Sequence, residues 1–220
     1  MARPGNRTDS PLIRTGLLGG SFNPAHAAHR QISLTAARAL GLDDLWWLVS
    51  PGNPLKPDAG MAPLSVRLKS AQRAARRSLI RPTAIERQLG TRYTVDSLRA
   101  LKRRYPNRKF IWLMGADNLA QFNNWKDWRT IARMMPIAVI ARPGYDGAAR
   151  ASRAMGWLRG FVHPRSAVSQ WTMWRPPALV LLRFRPDKTS ATALRRDDPD
   201  WSSAFSCTPL RDAVTHRHVD

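Results

Sequence analysis

Residues 16–30 read Gly-Leu-Leu-Gly-Gly-Ser-Phe-Asn-Pro-Ala-His-Ala-Ala-His-Arg. The apolar segment 12–18 stops at Gly19-Gly20, and a helix-like run begins after Pro24. The order predicts a strand, a glycine turn and a helix N-terminus. Backbone N–H groups at such a terminus lack intrahelical partners and the helix dipole is positive there, so the place attracts anions. Glycines let a phosphate approach the backbone closely. His26 and His29 stand three apart in the first turn and share a face. A neutral imidazole donates to a phosphate oxygen without carrying a full charge. The alternative is a buried strand and turn with two hydrogen-bonded histidines.

The remaining composition narrows the class. The chain has 220 residues, 43% of them hydrophobic, enough for a real core. It carries 36 Lys and Arg against 15 Asp and Glu, a formal net charge of +21. That balance favours polyanions, either nucleotide phosphates or nucleic acid, and does not choose between them. The single Cys207 excludes an internal disulfide and a multi-cysteine zinc site, which fits a cytoplasmic protein. No apolar run approaches the roughly 18 residues of a membrane span, so no membrane partner is expected. Residues 1–11 are polar, lack the core of a secretory signal and read as a loose tail.

Outward from the opening stretch, strands and helices alternate. Residues 27–40 form a helix with Ile32, Ala36, Ala39 and Leu40 inward and Gly41 as its stop. The run 45–49 is a buried strand that ends in the proline-rich loop 50–57. Pro63 opens a helix with Leu64, Leu68, Ala71, Ala75 and Leu79 at helical spacing. A weaker strand covers 80–86, and Thr94 caps a helix that runs to Tyr105. Strand 110–114 leads into Gly115-Ala116-Asp117-Asn118. A helical pair covers 119–134, then come a strand at 137–141, a less readable stretch, a last strand at 178–184 and a helix starting at Ser190. The alternation predicts an α/β fold, a parallel sheet with helices on both faces, over a single domain at 12–196. Ligands of such sheets sit outside the strand carboxyl ends, where the strand order reverses.

Several segments at that edge carry chemistry. Asp117 is placed to take a ribose hydroxyl or a base amino group, or to cap the next helix, and the two are compatible. Ser190, Thr192 and Arg195 make a second phosphate cradle, or are plain caps beside a solvated arginine. Trp125 offers a flat face to a base or a pyridine ring, while Trp128 suits helix packing. Lys56 is a loop cation.

The pattern Gly20-Ser21-Phe22-Asn23-Pro24-x-His26-x-x-His29 resembles the nucleotidyltransferase superfamily. Further pieces in order are Asn53-Pro54-Leu55-Lys56, Leu64-Ser65 at a helix start, Tyr93-Thr94-Val95-Asp96-Ser97-Leu98 and Gly115-Ala116-Asp117-Asn118. Then come the Trp125 segment, Ala141-Arg142-Pro143-Gly144 and Ser190-Ala191-Thr192-Ala193-Leu194-Arg195. Together they resemble the bacterial nicotinate-nucleotide adenylyltransferases over about residues 14–196. The resemblance implies a Rossmann-like fold and transfer of AMP from ATP to nicotinate mononucleotide, giving deamido-NAD and pyrophosphate with Mg²⁺ accompanying ATP. It implies that Gly19, Ser21 and Phe22 line the ATP phosphates through backbone groups. His26, His29 and Arg195 would stabilise charge on the phosphates as pyrophosphate leaves, and Ser190 would help hold the polyphosphate. Gly115 and Asp117 would hold adenosine, with Asp117 also near the mononucleotide. Lys56, Thr94 and the Lys126 backbone would line the mononucleotide site, with Trp125 stacked on the pyridine. No protein metal ligand is implied, since Mg²⁺ keeps phosphate and water oxygens.

The chain departs from that family in three places. Ala28 stands where glycine is frequent between the histidines, and Ala191 where serine is frequent. Residues 197–220 are polar, with Pro199 and Pro209, and read as an atypical tail with a short helix or disorder. The rivals are sister adenylyltransferases, with the amidated mononucleotide or phosphopantetheine as acceptor, and a non-catalytic nucleic-acid-binding protein. The last lacks any RNA-binding motif, and its basic residues lie along helices as a solvated face. A zinc site on His26 and His29 lacks an HExxH pattern and a third ligand. The oligomeric state is not readable from the sequence.

Overall fold

Leu45-Trp46-Trp47-Leu48-Val49 has no polar face, so a strand built from it must be covered on both sides. The computed structural model describes residues 12–52, 60–141, 146–183, 190–205 and 210–219, and this strand is covered in that way. Trp46 and Leu48 enter one apolar cluster, Trp47 and Val49 the other. The same alternation holds for Leu17 against Leu18 and for Trp112 against Leu113.

The elements follow in the order β1 (Ile13–Gly20), α1 (Ala27–Leu40), β2 (Asp44–Val49), α2 (Leu64–Ala75), β3 (Ile80–Thr83), α3 (Ile85–Leu89), α4 (Thr94–Arg104) and β4 (Arg108–Gly115). Then come α5 (Ala116–Gln121), α6 (Trp128–Met134), β5 (Ile137–Ala141), α7 (Asp146–Ala151), α8 (Arg153–Leu158), β6 (Leu179–Arg183) and α9 (Ala191–Asp197). The sheet order is β3-β2-β1-β4-β5-β6, and every pairing is parallel. After β1 the chain first builds outward through β2 and β3, then returns to pair β4 on the other side of β1. The order therefore reverses between β1 and β4, whose carboxyl ends are Gly19-Gly20 and Gly115. α1 closes at Gly41, which takes the left-handed conformation at φ 59°.

Two buried tryptophans, Trp47 and Trp171, are fastened by their indole N–H groups as well as by packing. Trp47 donates to Ser33 Oγ at 2.8 Å and Trp171 to the Leu40 carbonyl at 2.8 Å. Trp171 lies in a 3-10 stretch, Arg165–Met173, inside the segment that was hard to read from sequence. At the opposite end of the sheet Arg108 pairs with Asp44 at 2.8 Å and lies over the Trp46 ring.

Three expectations change. The strand expected over 80–86 stops at Thr83, because the chain turns into α3. The helical pair expected over 119–134 is broken by a 3-10 turn at Phe122–Asn124 and by Asp127, which sits at φ 49°. Residues 197–220, expected as an atypical tail with a short helix or disorder, form structure where they are described. A 3-10 turn at Trp201–Ala204 buries Trp201, and β7 (Leu210–Arg211) pairs antiparallel with β8 (His218–Val219). No apolar periodicity announces this ribbon, because one carboxylate holds it. Asp212 is fully buried and accepts from Thr83 Oγ1, Ala84 N, Val214 N and Thr215 N at 2.7–2.9 Å. Gln72 and Gln88 add bonds to the Arg211 carbonyl and Thr215 Oγ1.

Removing one partner from a satisfied buried network leaves the others desolvated and unpaired. Asp212→Ala is therefore expected to lower unfolding free energy by about 3 kcal/mol in urea denaturation, while Asp200→Ala on the exposed surface stays within about 0.5 kcal/mol. Equal small effects of both would remove the latch role from Asp212.

Candidate active site

The site is the crevice at the β1/β4 reversal. A cavity of about 590 Å³ opens there. It is lined by Gly19, Gly20, Ser21, Phe22, His26 and His29, by Thr94, Trp125 and Lys126, and by Gly115, Asp117 and Ser190.

The β1 end is built from local geometry. Phe22 takes the left-handed region at φ 47°. Its ring is buried, stacked on Trp47 at 4.9 Å and tilted against His29 at 5.0 Å. The side chain is thus an anchor, and the backbone around it faces the cavity. A Cβ at Gly19 would come within 2.7 Å of the Trp112 ring, so the close approach requires glycine. His26 occupies the N-cap of α1, and its backbone N–H donates to His29 Nδ1 at 3.3 Å. A neutral His29 accepting there carries its proton on Nε2. The two imidazoles lie 3.8 Å apart between centroids. Ser33 Oγ donates to the His29 carbonyl at 2.8 Å and accepts from Trp47, which ties the second histidine to the core.

The loop after β1 is fastened from behind. Arg67 is 1% exposed, although it is an arginine on a helix. Its guanidinium donates to the carbonyls of Ala62 and Ser21 at 2.8 Å, Ser50 at 2.7 Å and Pro51 at 3.4 Å. Asn23 bonds to the Gly60 carbonyl and the Ala62 N–H at 2.9 and 3.2 Å. Arg195 donates to the Asn23 carbonyl and does not line the cavity among the described residues. Ser190 does line it, and its side chain accepts from Ala193 N as the cap of α9 at 3.2 Å. Ser190 thus caps α9 and stands on the cavity wall.

Trp125 is half-buried, edge-on to Phe122 at 5.4 Å and to Trp112 at 6.2 Å. Trp128 is buried among Phe122 and Trp157 instead, as helix packing requires. Thr94 is the first residue of α4, with Tyr93 at the cap position, so the expected Thr94 side-chain cap is not made. Lys126 Nζ lies 3.5 Å from Asp96 and 4.5 Å over the Tyr93 ring. Asp117 is the second residue of α5, and the cap position belongs to Gly115. A Cβ at Gly115 would collide with the Asp117 carboxylate, so that glycine keeps room for the acid. Lys56 lies outside the described residues.

Four residues of this region were missed in sequence. Arg67 falls on the apolar stripe of α2, three residues after Leu64 and four before Ala71, which was the available signal. Arg92 lines the cavity two residues before Thr94. Trp112 also lines it, buried, and its indole N–H has no partner among the described residues. Glu86 lines it too, with nothing in its neighbours to mark it. Burial pushes the Glu86 carboxyl above the ordinary glutamate range, and the Ser97 hydroxyl, donating at 2.6 Å, pulls the other way. Among the described residues no three His, Cys, Asp or Glu side chains converge as a metal cage. None of the described helices is long and apolar enough to cross a membrane.

The parallel sheet with this reversal and a histidine-bearing helix N-terminus at its edge agrees with the nucleotidyltransferase resemblance of the sequence. The sequence pattern of the cytidylyltransferase-like family matches residues 17–197. The chain is 62% identical over 210 residues to a probable nicotinate-nucleotide adenylyltransferase of Erythrobacter litoralis, covering 96% of each. It is 49% identical to the protein of that name from Parvibaculum lavamentivorans, over 84% of this chain and 92% of the relative. The chain belongs to the nicotinate-nucleotide adenylyltransferase family. Its fold is shared with Plasmodium falciparum nicotinic acid mononucleotide adenylyltransferase, solved in complex with NaAD. The TM-score is 0.61 over 89% of this chain and 91% of that one, at 15% identity.

The raised Glu86 carboxyl sets a pH slope. Below about pH 4.5 both folded and unfolded states hold its proton. As pH rises the unfolded state ionises first, so stability falls through the interval up to the native value. Glu86→Gln keeps an acceptor for Ser97 and removes the titration. Its stability relative to the wild type is expected to rise between pH 5 and pH 8 in denaturant titrations, and a difference that stays flat or falls would contradict the buried neutral acid.

Proposed function

We propose that this chain transfers AMP from ATP to nicotinate mononucleotide, forming deamido-NAD and pyrophosphate. The observation that carries this reading is one cavity lined by His26 and His29 and also by Trp125 and Thr94. That layout suits an acceptor whose phosphate must meet ATP at the helix N-terminus while its ring lies against an indole. The names and high identity of the bacterial relatives support it.

The acceptor's 5′-phosphate oxygen attacks the α-phosphorus of ATP in line, and the bond from that phosphorus to the pyrophosphate oxygen breaks. The nucleophile is already an anion, so the step needs no general base and no covalent enzyme intermediate. The protein's contribution is positioning and stabilisation of charge. Backbone groups of Gly19, Ser21 and Phe22 receive the phosphates. His26 and the His29 Nε2–H donate to oxygens that gain charge as pyrophosphate leaves, Ser190 holds the polyphosphate, and Arg195 steadies the phosphate loop through the Asn23 carbonyl. Gly115 gives room to Asp117, which takes hydroxyls of the adenosine or mononucleotide. Trp125 stacks on the pyridine, and Thr94 and the Lys126 backbone receive its carboxylate, with Lys56 as a further contact. Mg²⁺ enters as part of the ATP substrate, held by phosphate oxygens and water, which its octahedral preference favours.

The direct test is pyrophosphate release from MgATP with nicotinate mononucleotide, its amide and phosphopantetheine as separate acceptors. Release dependent on nicotinate mononucleotide, with deamido-NAD as product, is expected. Release with phosphopantetheine alone, or with none of the three, would overturn the reading.

His26→Ala and His29→Ala are each expected to lower kcat by about 100-fold or more, the scale of a lost transition-state donor, with folding stability much less affected. Parallel loss of stability and turnover would return both histidines to a structural role. Trp125→Ala is expected to raise the KM for the mononucleotide several-fold more than that for ATP. An unchanged mononucleotide KM would assign this indole to packing.

A further inference from the structure

The mononucleotide end of the cavity holds more charge than the adenylyl transfer itself uses. Two cations line it among the described residues, Arg92 and Lys126. Lys126 is shared with Asp96 at 3.5 Å, and Asp96 is also paired with Arg99 at 3.1 Å. Arg92 is exposed and makes no hydrogen bond or ion pair with the described residues. It stands two positions before Thr94, at the head of α4.

We propose that Arg92 is a specificity-determining residue that takes the carboxylate of the pyridine ring and so selects the acid over the amide acceptor. The inference rests on the proposed function. The acceptor has two anionic ends, and the reaction assigns them. Its phosphate must reach ATP beside His26 and His29, so its ring end lies toward Thr94 and Trp125. The cation there meets the carboxylate.

The other groups on that wall discriminate poorly. The Thr94 hydroxyl and a backbone N–H each need only one acceptor oxygen, which a carboxylate and an amide both present. A guanidinium offers two parallel donors to the two oxygens of a carboxylate, whereas a carboxamide places its own NH₂ against one of them. Selectivity then has an attractive and a repulsive part. Glu86 lies on the same wall, and burial favours its neutral form, so it sets no second anion against the ligand.

The experiment compares kcat/KM for nicotinate mononucleotide and for its amide in the wild type, Arg92→Ala and Arg92→Lys. In Arg92→Ala the acid-to-amide ratio is expected to fall about tenfold, the scale of one charge-assisted hydrogen bond at a half-open site. The loss appears in the KM for the acid. Arg92→Lys restores part of the ratio, since it returns the charge without the fork. Wild-type turnover of the acid with an unchanged ratio in Arg92→Ala overturns this inference alone. An equal loss for both acceptors also overturns it and leaves Arg92 a general anion contact. A wild type that turns over neither pyridine mononucleotide overturns the proposed function and this inference with it.

Discussion

The Arg67 guanidinium is the constraint on which the site depends. It gathers the carbonyls of Ser21, after β1, of Ser50 and Pro51, after β2, and of Ala62, before α2. Taking a guanidinium out of water costs several kcal/mol, and only good geometry to several acceptors offsets it. The connections at one edge of the sheet are therefore held by a single rigid fork. Loops that approach a phosphate need backbone N–H groups free to face it. Arg67 meets this need by binding the carbonyls on the other side. A lysine has the charge but cannot span these acceptors with one planar group.

The histidines are supported from a second direction. Trp47, in the middle of β2, donates to Ser33, whose hydroxyl donates to the His29 carbonyl. Phe22 lies between Trp47 and His29 and is held by both rings. The His29 ring thus rests on residues whose main role is packing. Such support keeps a donor within the narrow range that transition-state stabilisation requires.

The sequence made the strand-helix alternation and the edge of the sheet legible, because β2, β4 and β5 contain the apolar runs 45–49, 110–114 and 137–141, β1 runs into Leu17-Leu18, and each is followed by glycine, proline or a capping group. Gly19, His26, Thr94, Gly115, Asp117, Trp125 and Ser190 could be placed at that edge, and they do line one cavity. Strand order was not legible, since it is set by where crossovers pack and not by any one segment. Arg67 was hidden by its charge, which reads as solvent-facing until its place on the α2 stripe is noticed. Arg195 was expected at the phosphates, whereas the structure gives its guanidinium to the Asn23 carbonyl. The C-terminal ribbon was illegible because its cohesion comes from the four bonds of Asp212 and not from an apolar pattern.

The latch between Thr83 and Asp212 joins residues 129 positions apart. On a ribosome adding about 5–20 residues per second, the carboxylate arrives on the order of ten seconds after its partner. During that interval β3 is an edge strand whose last hydroxyl and the following amide have no acceptor, in a chain still being made. This corner is thus completed only after residue 212 has been added. The stretch leading into α3 and α4, which carries Glu86, Arg92 and Thr94, takes its final shape only once a segment far along the chain has been made.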